Sequence, residues 1–304
     1  MRASRTISTV AAVVAAVVMT SMAQAMSLGS WSPAVNAESI PGTHAALNSA
    51  ALDGCPFVAQ RDDILYFASG RAGGAGGLDI WYSLRGDGGA WGEPVNFAAV
   101  NSAADDFCPM AHRNGRTFLF VSARSGGCGG ADIYVSRRHD TKGWSTPANL
   151  GCNVNSAAGE ASPSLTDTEL YFSSARAGGP GGTDVYVSAF DGSSFGAPVL
   201  AVGLNTSADD SRPNVRRDGL EVFFDSTRAG GNGGVDIWTA TRASTSDPWS
   251  TPTNLGAAVN SSANDLRASL SWDATTLYFG STRAGGEGSQ DLYLTTRPKL
   301  TGSE

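Results

Sequence analysis

Five acidic side chains recur along the chain at nearly regular intervals and are its first candidates for chemistry. Each follows an asparagine by five residues. The acids are Asp53, Asp106, Glu160, Asp210 and Asp265, and the asparagines are Asn48, Asn101, Asn155, Asn205 and Asn260. Glycoside hydrolases use two carboxylates about 5 to 9 Å apart, so these acids are the catalytic candidates of a hydrolase. Because they recur evenly, each is also explained by its repeat, without distinct acid and base roles.

A second motif combines arginine, glycines and aspartate, and it also occurs five times. In its most regular form it reads Ser-x-Arg-x-Gly-Gly-x-Gly-Gly-x-Asp-Ile, followed by Tyr or Trp. Its arginines are Arg71, Arg124, Arg176, Arg228 and Arg283, and its aspartates, each eight residues later, are Asp79, Asp132, Asp184, Asp236 and Asp291. We expect a structural role, in which each Arg bridges its Asp across the glycine loop or reaches the acid of the neighbouring repeat.

Two ligand-binding alternatives remain for this motif. The first is a ring of polar ligand sites, one per repeat, on a single face of the molecule. The second is calcium, because the glycine pattern resembles the calcium-binding nonapeptide of β-roll proteins. Those nonapeptides work in tandem, whereas this motif stands alone in each repeat. We therefore expect no cofactor and no metal, with calcium as the alternative.

The remaining reactive side chains do not assemble into a known catalytic set. His44, His112 and His139 occupy different positions in their repeats, so they predict neither a metal site nor a triad. The chain has no Gly-x-Ser-x-Gly elbow of the kind that presents a nucleophilic serine. The sequence therefore predicts no nucleophile.

Four cysteines interrupt the repeat pattern. Cys55 and Cys108 occupy equivalent positions in the first two repeats, whereas Cys128 and Cys152 follow within and after the second glycine loop. In an exported chain such cysteines indicate disulfides. We predict the pairs Cys128 with Cys152 and Cys55 with Cys108, the alternative being that some stay free and buried.

Positions at which the repeats differ are the better place to seek specificity. Arg212 and Arg267 stand where the first repeats have cysteine, and the fifth glycine loop reads Glu287-Gly288-Ser289-Gln290 in place of its glycines. Trp272 has no counterpart in the other repeats and can either stack on a sugar or serve as packing. The candidate ligand-binding rim consists of Arg212, Arg267, Trp272, Glu287 and Gln290.

The elements that position these residues follow from the repeat length. Successive motif arginines are 53, 52, 52 and 55 residues apart. Each unit reads as four short antiparallel strands; in the first unit these are residues 56–60, 64–69, 79–84 and the region of Trp91. Four strands in a period near 50 are typical of a β-propeller. We predict an all-β, five-bladed propeller with blade units 48–100, 101–154, 155–204, 205–259 and 260–304.

The ends of the repeat array predict how the ring closes. Units one to four end in Trp or Phe followed by x-x-Pro, as in Trp91-x-x-Pro94, but the fifth unit lacks this segment. A similar segment, Trp31 to Asn36, precedes the first unit. We expect residues 26–47 to supply the fourth strand of the fifth blade and a connector, which removes two open sheet edges.

The repeats resemble the WD40-like propeller repeats known as PD40, which are found in TolB and in many cell-envelope proteins. The resemblance rests on the aromatic strand and the glycine-loop motif quoted above, and it spans residues 26–304. It implies a TolB-like propeller domain. The chain differs from TolB in lacking an extra N-terminal domain and in having five units rather than six, so the resemblance does not carry over the role of TolB.

Composition and the N-terminus predict location and exclude some partners. Residues 1–25 read as a signal peptide, with two arginines, an apolar run and Ala23-Gln24-Ala25 as the cleavage site. Removing them takes the formal net charge from −7 to −9, and this acidic chain has no basic stripe for nucleic acid. We expect an exported, periplasmic or extracellular single domain, residues 26–304, with no membrane span after cleavage and a monomeric state.

A rigid disc without an asymmetric catalytic set favours binding over catalysis. Our leading hypothesis is a non-catalytic binding or scaffolding propeller that recognises an envelope or extracellular protein or glycan on one face. One alternative is a glycan-active hydrolase that uses the five repeated acids at the mouth of the propeller channel. Another is a multivalent lectin with one site per blade.

Overall fold

Five antiparallel sheets form a closed ring in the computed structural model, which describes residues 28–300. Blade one contains β2 (Asp53–Val58), β3 (Ile64–Ser69), β4 (Asp79–Leu84) and β5 (Val95–Asn96). Blade two contains β6 (Asp106–Ala111), β7 (Thr117–Ser122), β8 (Asp132–His139) and β10 (Ala148–Asn149), and β9 (Gly143–Trp144) pairs with the end of β8. Blade three contains β11 (Glu160–Leu165), β12 (Glu169–Ser174), β13 (Asp184–Ala189) and β14 (Val199–Leu200).

The last two blades complete the ring. Blade four contains β15 (Asp210–Val215), β16 (Glu221–Ser226), β17 (Asp236–Thr241) and β18 (Thr253–Asn254). Blade five contains β19 (Asp265–Leu270), β20 (Thr276–Ser281), β21 (Asp291–Thr296) and, from the other end of the chain, β1 (Val35–Asn36). Val35 pairs with Leu294 and Asn36 with Tyr293, which confirms the five-bladed propeller and its closure by an N-terminal strand. Two short 3-10 helices, Ala37–Ser39 and Asp87–Gly89, lie in connecting segments.

The hydrophobic core is divided into clusters that lie between neighbouring blades. In one of them, Phe67 and Trp81 of blade one pack with Tyr278 and Leu292 of blade five. Comparable clusters fill the other contacts between blades. The second strand of each blade is apolar on both faces because a sheet packed between two others must bury both.

The inner strands differ from the sequence prediction in one respect. Blade one begins its first strand at Asp53 rather than at Pro56, and its pairing with β3 shifts between Gly54 and Phe57. The residue at the shift has a positive φ in every blade. These residues are Cys55, Cys108, Ser162, Arg212 and Arg267, with φ between 47° and 61°. Such a bulge interrupts the alternation of buried and exposed residues that marks a strand in the sequence. The sequence pattern therefore did not predict the first residues of the inner strand.

The fourth strands are also shorter and later than predicted. In blade one the strand is Val95–Asn96, immediately after Pro94, rather than the region of Trp91. Proline has no N–H to donate to a neighbouring strand, so regular pairing resumes only beyond it. Trp91 itself makes an isolated bridge with Arg85.

The ring has two distinct faces and a central channel lined by the inner strands. The loop face carries the five glycine loops and the connectors between blades. The hairpin face carries the five turns that join the first and second strand of each blade: residues 59–63, 112–116, 166–168, 216–220 and 271–275. No helix between residues 28 and 300 is long and apolar enough to span a membrane. The predicted signal peptide, residues 1–25, lies outside the described residues.

Candidate functional site

The five repeated acids lie on the loop face and are buried. Each is at most 1% exposed. In blade one, Arg71 donates to Asp53 Oδ1 at 2.6 Å, while the backbone N–H and hydroxyl of Ser49 both donate to Asp53 Oδ2 at 2.6 Å. The other blades repeat this ion pair: Arg124 with Asp106, Arg176 with Glu160, Arg228 with Asp210 and Arg283 with Asp265. Carboxylates buried and bonded in this way cannot reach a substrate, so they are not suited to catalysis.

The motif arginine therefore has a different partner from the two we predicted. Arg71 pairs with the acid of its own blade, neither with Asp79 across the loop nor with a neighbouring blade. Its guanidinium also stacks on the rings of Phe67 and Trp81, at 5.1 and 5.4 Å from their centroids. The eight-residue spacing suggested an Arg–Asp pair. The aspartate side chain instead accepts hydrogen bonds from the backbone of its own glycine loop.

The motif aspartate closes the glycine loop. Asp79 Oδ2 accepts hydrogen bonds from the backbone N–H groups of Ala75 and Gly76, at 2.8 and 3.1 Å. The side chain of Asp79 therefore closes its own loop by hydrogen bonding through Oδ2. In residues 28–300 no group of three or more His, Cys, Asp or Glu side chains could hold a metal ion.

The repeated asparagine fastens each blade to the preceding one. Asn101 accepts from the N–H of Ile80 and donates to its carbonyl, both at 2.9 Å. Gly76 packs so closely on the next connector that a Cβ there would collide with the carbonyl of Ala104. The repeated asparagine and the glycine loop are thus engaged in building the ring.

Both predicted disulfides are confirmed, and one of them narrows the channel. Cys55 is bonded to Cys108 and Cys128 to Cys152, and no cysteine of the described chain is free. The Ser162 hydroxyl donates to Cys108 Sγ at 3.2 Å at the same level of the channel. Together with Arg212 and Arg267, these side chains surround a cavity of only about 30 Å³.

The candidate ligand-binding rim does not form one surface. Arg212 and Arg267 lie in the channel, Glu287 and Gln290 belong to the fifth glycine loop, and Trp272 lies in a turn of the hairpin face. Of these five residues, only Trp272 lines a cavity of the hairpin face.

The hairpin face holds the larger cavities. Between blades two and three lies a cavity of about 630 Å³, and between blades one and two another of about 510 Å³. Both contain His112 and Arg113, and Arg113 also lines a depression at the channel mouth. Volumes of this order are typical of small-ligand sites. The two cavities and the depression therefore border one another around a single hairpin.

The depression at the channel mouth has an apolar floor and a polar rim. Its floor includes Phe57, Met110, Leu165, Val215 and Leu270, one from the inner strand of each blade. The rim includes Arg113, Asp167, Arg217 and Trp272, all from hairpin turns. Arg217 stacks on Trp272 at 5.2 Å from the ring centroid. An aromatic ring beside polar groups is suited to holding a sugar.

Two carboxylates of the hairpin turns lie in different environments. Asp62, in the turn of blade one with φ 53°, accepts a hydrogen bond from the N–H of Trp272 at 3.1 Å. Burial raises the pKa of Asp62 above its ordinary value, and the charge of Asp273 adds to this effect. Asp167, in the turn of blade three, is 46% exposed and pairs with Arg113 at 2.6 Å. One carboxyl is thus disposed to hold a proton, while the other is an accessible ion-paired carboxylate.

His112 lies between the two large cavities. Both of its ring nitrogens are buried without a hydrogen-bonding partner among the described residues. Burial lowers its pKa, so the ring is neutral at pH 7 and can donate through one nitrogen and accept through the other. It therefore has hydrogen-bonding capacity that no described residue uses.

Sequence reasoning did not single out Asp62, Asp167 or Arg113, and it assigned no role to His112. All four lie in hairpin turns, whose sequences differ from blade to blade, unlike the glycine loops. That difference was the available signal, but turns are short and polar in any protein. Only Trp272, as an isolated aromatic, stood out.

No protein-family model and no curated protein matches the chain, but solved structures do. An α-L-arabinofuranosidase from Lactobacillus brevis aligns at a TM-score of 0.54 and 12% identity, over 84% of this chain and 94% of its own. A GH62 hydrolase in complex with xylotriose aligns at 0.54 and 11%, over 88% and 97%. A putative TolB from Agrobacterium tumefaciens aligns at 0.48 and 13%, over 90% and 99%.

These comparisons correct our leading functional hypothesis. Further matches are likewise glycoside hydrolases of families 43 and 62. The fold is thus shared mostly with glycoside hydrolases, which contradicts the prediction of a non-catalytic binding or scaffolding propeller and favours the hydrolase alternative. Likeness at this identity shows the fold alone, so any activity must be argued from the residues of this chain. The chain is similar in fold to glycoside hydrolases of families 43 and 62.

Proposed function

We propose that this chain is a glycan-active hydrolase that works at the hairpin-face mouth of its channel. The observation that carries the proposal is the polar rim of the depression, where the accessible carboxylate of Asp167 lies with Trp272, and where Asp62, whose pKa is raised, is bonded to the N–H of Trp272. Hydrolysis of a glycosidic bond needs one carboxylic acid to protonate the leaving oxygen and one carboxylate to act on the other side of the sugar. The five buried acids of the loop face have no part in this proposal.

Asp62 is the general acid in this proposal. A carboxyl group whose pKa is raised by burial keeps its proton nearer to neutral pH and can transfer it to a leaving group. Asp167 is the general base or nucleophile, and Arg113 holds it in place through the 2.6 Å ion pair. These roles replace the symmetrical acids of the sequence prediction with two carboxylates from unlike turns.

Substrate binding falls to the remaining side chains of the mouth. Trp272 offers a ring face to a sugar, and the side chain of His112 lines the two adjoining cavities. The cavity of about 630 Å³ has room for a short oligosaccharide segment. By analogy with the hydrolases that share the fold, we propose arabinose- or xylose-containing polysaccharides as the substrate class.

The test is hydrolysis by the purified chain of arabinan, arabinoxylan and aryl arabinosides and xylosides, with release of reducing sugar as the readout. We expect Asp62→Asn and Asp167→Asn each to lower kcat/KM by about 100-fold or more. Asp87→Asn makes the same chemical change at an exposed site outside these cavities and should retain full activity. Absence of hydrolysis by the wild-type chain, or full activity of both site variants, would reject the proposal.

Two further predictions accompany this function. The two disulfides support export to an oxidising compartment, where a polysaccharide substrate is accessible, and the signal peptide and the monomeric state remain predictions. Membership of the PD40 repeat family also remains a prediction beyond the propeller fold, because no family model matches.

A further inference from the structure

The channel contains two arginines and a single carboxylate. Arg212 Nη1 lies 3.2 Å from Asp225 Oδ2, and the backbone N–H of Arg267 donates to both oxygens of Asp225, at 2.9 and 3.0 Å. The Asp225 side chain is fully buried. Its hydrogen-bonding capacity is therefore directed at Arg212 and at the backbone of Arg267, not at the second guanidinium.

The guanidinium of Arg267 lacks a protein partner. Among residues 28–300 it makes no ion pair and no side-chain hydrogen bond, and its Nε is buried. Gln290 Nε2 is a second buried donor without a partner. The two groups are neighbours, since a Cβ added to Gly54 would collide with Gln290 Nε2 and lie 3.4 Å from Arg267 Nη1. Two unpaired donor groups therefore lie together at one level of the channel.

The charges at this level do not cancel. Burial and the charge of Arg212 lower the pKa of Arg267 to about 10, and burial raises the pKa of Asp225 to about 6. At pH 7 both arginines and the aspartate are still charged, which leaves one excess positive charge. A buried donor without a partner is costly, and the buried Nε of Arg267 lies beside this excess positive charge, so the site is disposed to bind an anion.

The space available limits what that anion can be. The cavity that Arg212 and Arg267 line with Cys55, Cys108 and Ser162 measures about 30 Å³, which is roughly the volume of one water molecule. A sugar or a phosphate ester does not fit. We propose that the channel binds one small monovalent anion of halide size between Arg212 and Arg267, and that this anion stabilises the ring.

The test compares chloride with gluconate, an anion too large for the cavity, as sodium salts at equal ionic strength. We expect the melting temperature of the wild-type chain to be higher in chloride by about 2 °C or more, because a ligand bound only by the folded state stabilises it. Arg267→Gln removes the excess charge and should abolish the difference. The control Lys142→Gln removes an exposed positive charge and should leave the difference intact.

A second measurement makes the test independent of variant folding. Crystals of the wild-type chain grown or soaked with sodium bromide should show an anomalous peak between Arg267 and Arg212. Equal melting temperatures in the two salts, a salt difference that survives Arg267→Gln, or crystals without bromide at this position would each overturn the proposal. Neither measurement depends on whether the chain hydrolyses glycans.

Discussion

The loop face and the hairpin face of this propeller use similar residue types for different purposes. On the loop face, the acid, arginine, aspartate and asparagine of each repeat bond to one another or to backbone, as Asp53 and Arg71 do. On the hairpin face, the turns differ between blades and leave His112 unpartnered and Asp167 exposed. Chemistry repeated in every blade holds the ring together here, whereas chemistry found in single blades is available for a ligand.

This comparison explains why the repeated carboxylates did not mark an accessible site. The five evenly spaced acids had the right residue type for a glycoside hydrolase, but their regularity reflected the ion pair that each blade requires. The candidate acids Asp62 and Asp167 lie at different positions of unlike turns. Distinct acid and base roles require such asymmetry.

The largest expected contrast between the faces is in stability. Arg124→Met on the loop face leaves the buried carboxylate of Asp106 without its partner, and we expect a loss of about 4 kcal/mol in the free energy of unfolding. Arg113→Met on the hairpin face breaks a pair whose side chains are 51% and 46% exposed, and should cost less than about 1 kcal/mol. Urea denaturation of both variants measures the difference. Equal losses of unfolding free energy in the two variants would contradict the proposed difference between the two faces.

A smaller contrast is expected in ligand affinity. Trp272→Ala removes a ring that lines the channel mouth, and we expect a loss of about 1 kcal/mol, or roughly fivefold, in oligosaccharide affinity. Its matched loop-face control is Trp238→Phe, since Trp238 is a buried ring under Arg228 and should leave affinity unchanged. Calorimetric titration of both variants with a xylo- or arabino-oligosaccharide measures the effect. If only the control Trp238→Phe lost affinity, the oligosaccharide would bind to the loop face, and the prediction would be contradicted.

The smallest effect concerns the pH dependence of stability at Asp62. Its pKa is raised in the folded state, mainly by burial, so the folded chain binds a proton more tightly than the unfolded chain. The ionised group therefore destabilises the fold as pH rises through the folded pKa, whereas below the unfolded pKa of about 3.9 there is no penalty. Asp62→Asn should raise the melting temperature at pH 7 and have less effect at pH 4. A gain that is largest at pH 4 would contradict the assigned environment.

Much of the fold could be predicted from the sequence, because five copies of one unit show which residues form strands more clearly than a single copy does. The second and third strands of blade one, Ile64–Ser69 and Asp79–Leu84, have the predicted bounds. Ring closure and both disulfides were also predicted. The start of the inner strands was not, since the positive φ at Cys55 interrupts the apolar alternation.

The candidate site was less predictable for a physical reason. Asp62 meets Trp272 only because blades one and five become neighbours on closure, across 210 residues of sequence. The depression at the channel mouth is likewise lined by residues from all five blades. No local pattern encodes such proximity. The partner of Arg71 was missed because Asp53, 18 residues away, competes with Asp79 only in three dimensions.

The central claim is that ligands bind to the hairpin face and that the loop face is structural. Hydrogen–deuterium exchange of the wild-type chain, with and without a xylo- or arabino-oligosaccharide, tests it most directly because it reports both faces at once. We predict slower exchange in turns 59–63, 112–116 and 271–275, and unchanged exchange in the glycine loops such as 71–79. Protection confined to the glycine loops, or no protection on either face, would contradict the claim.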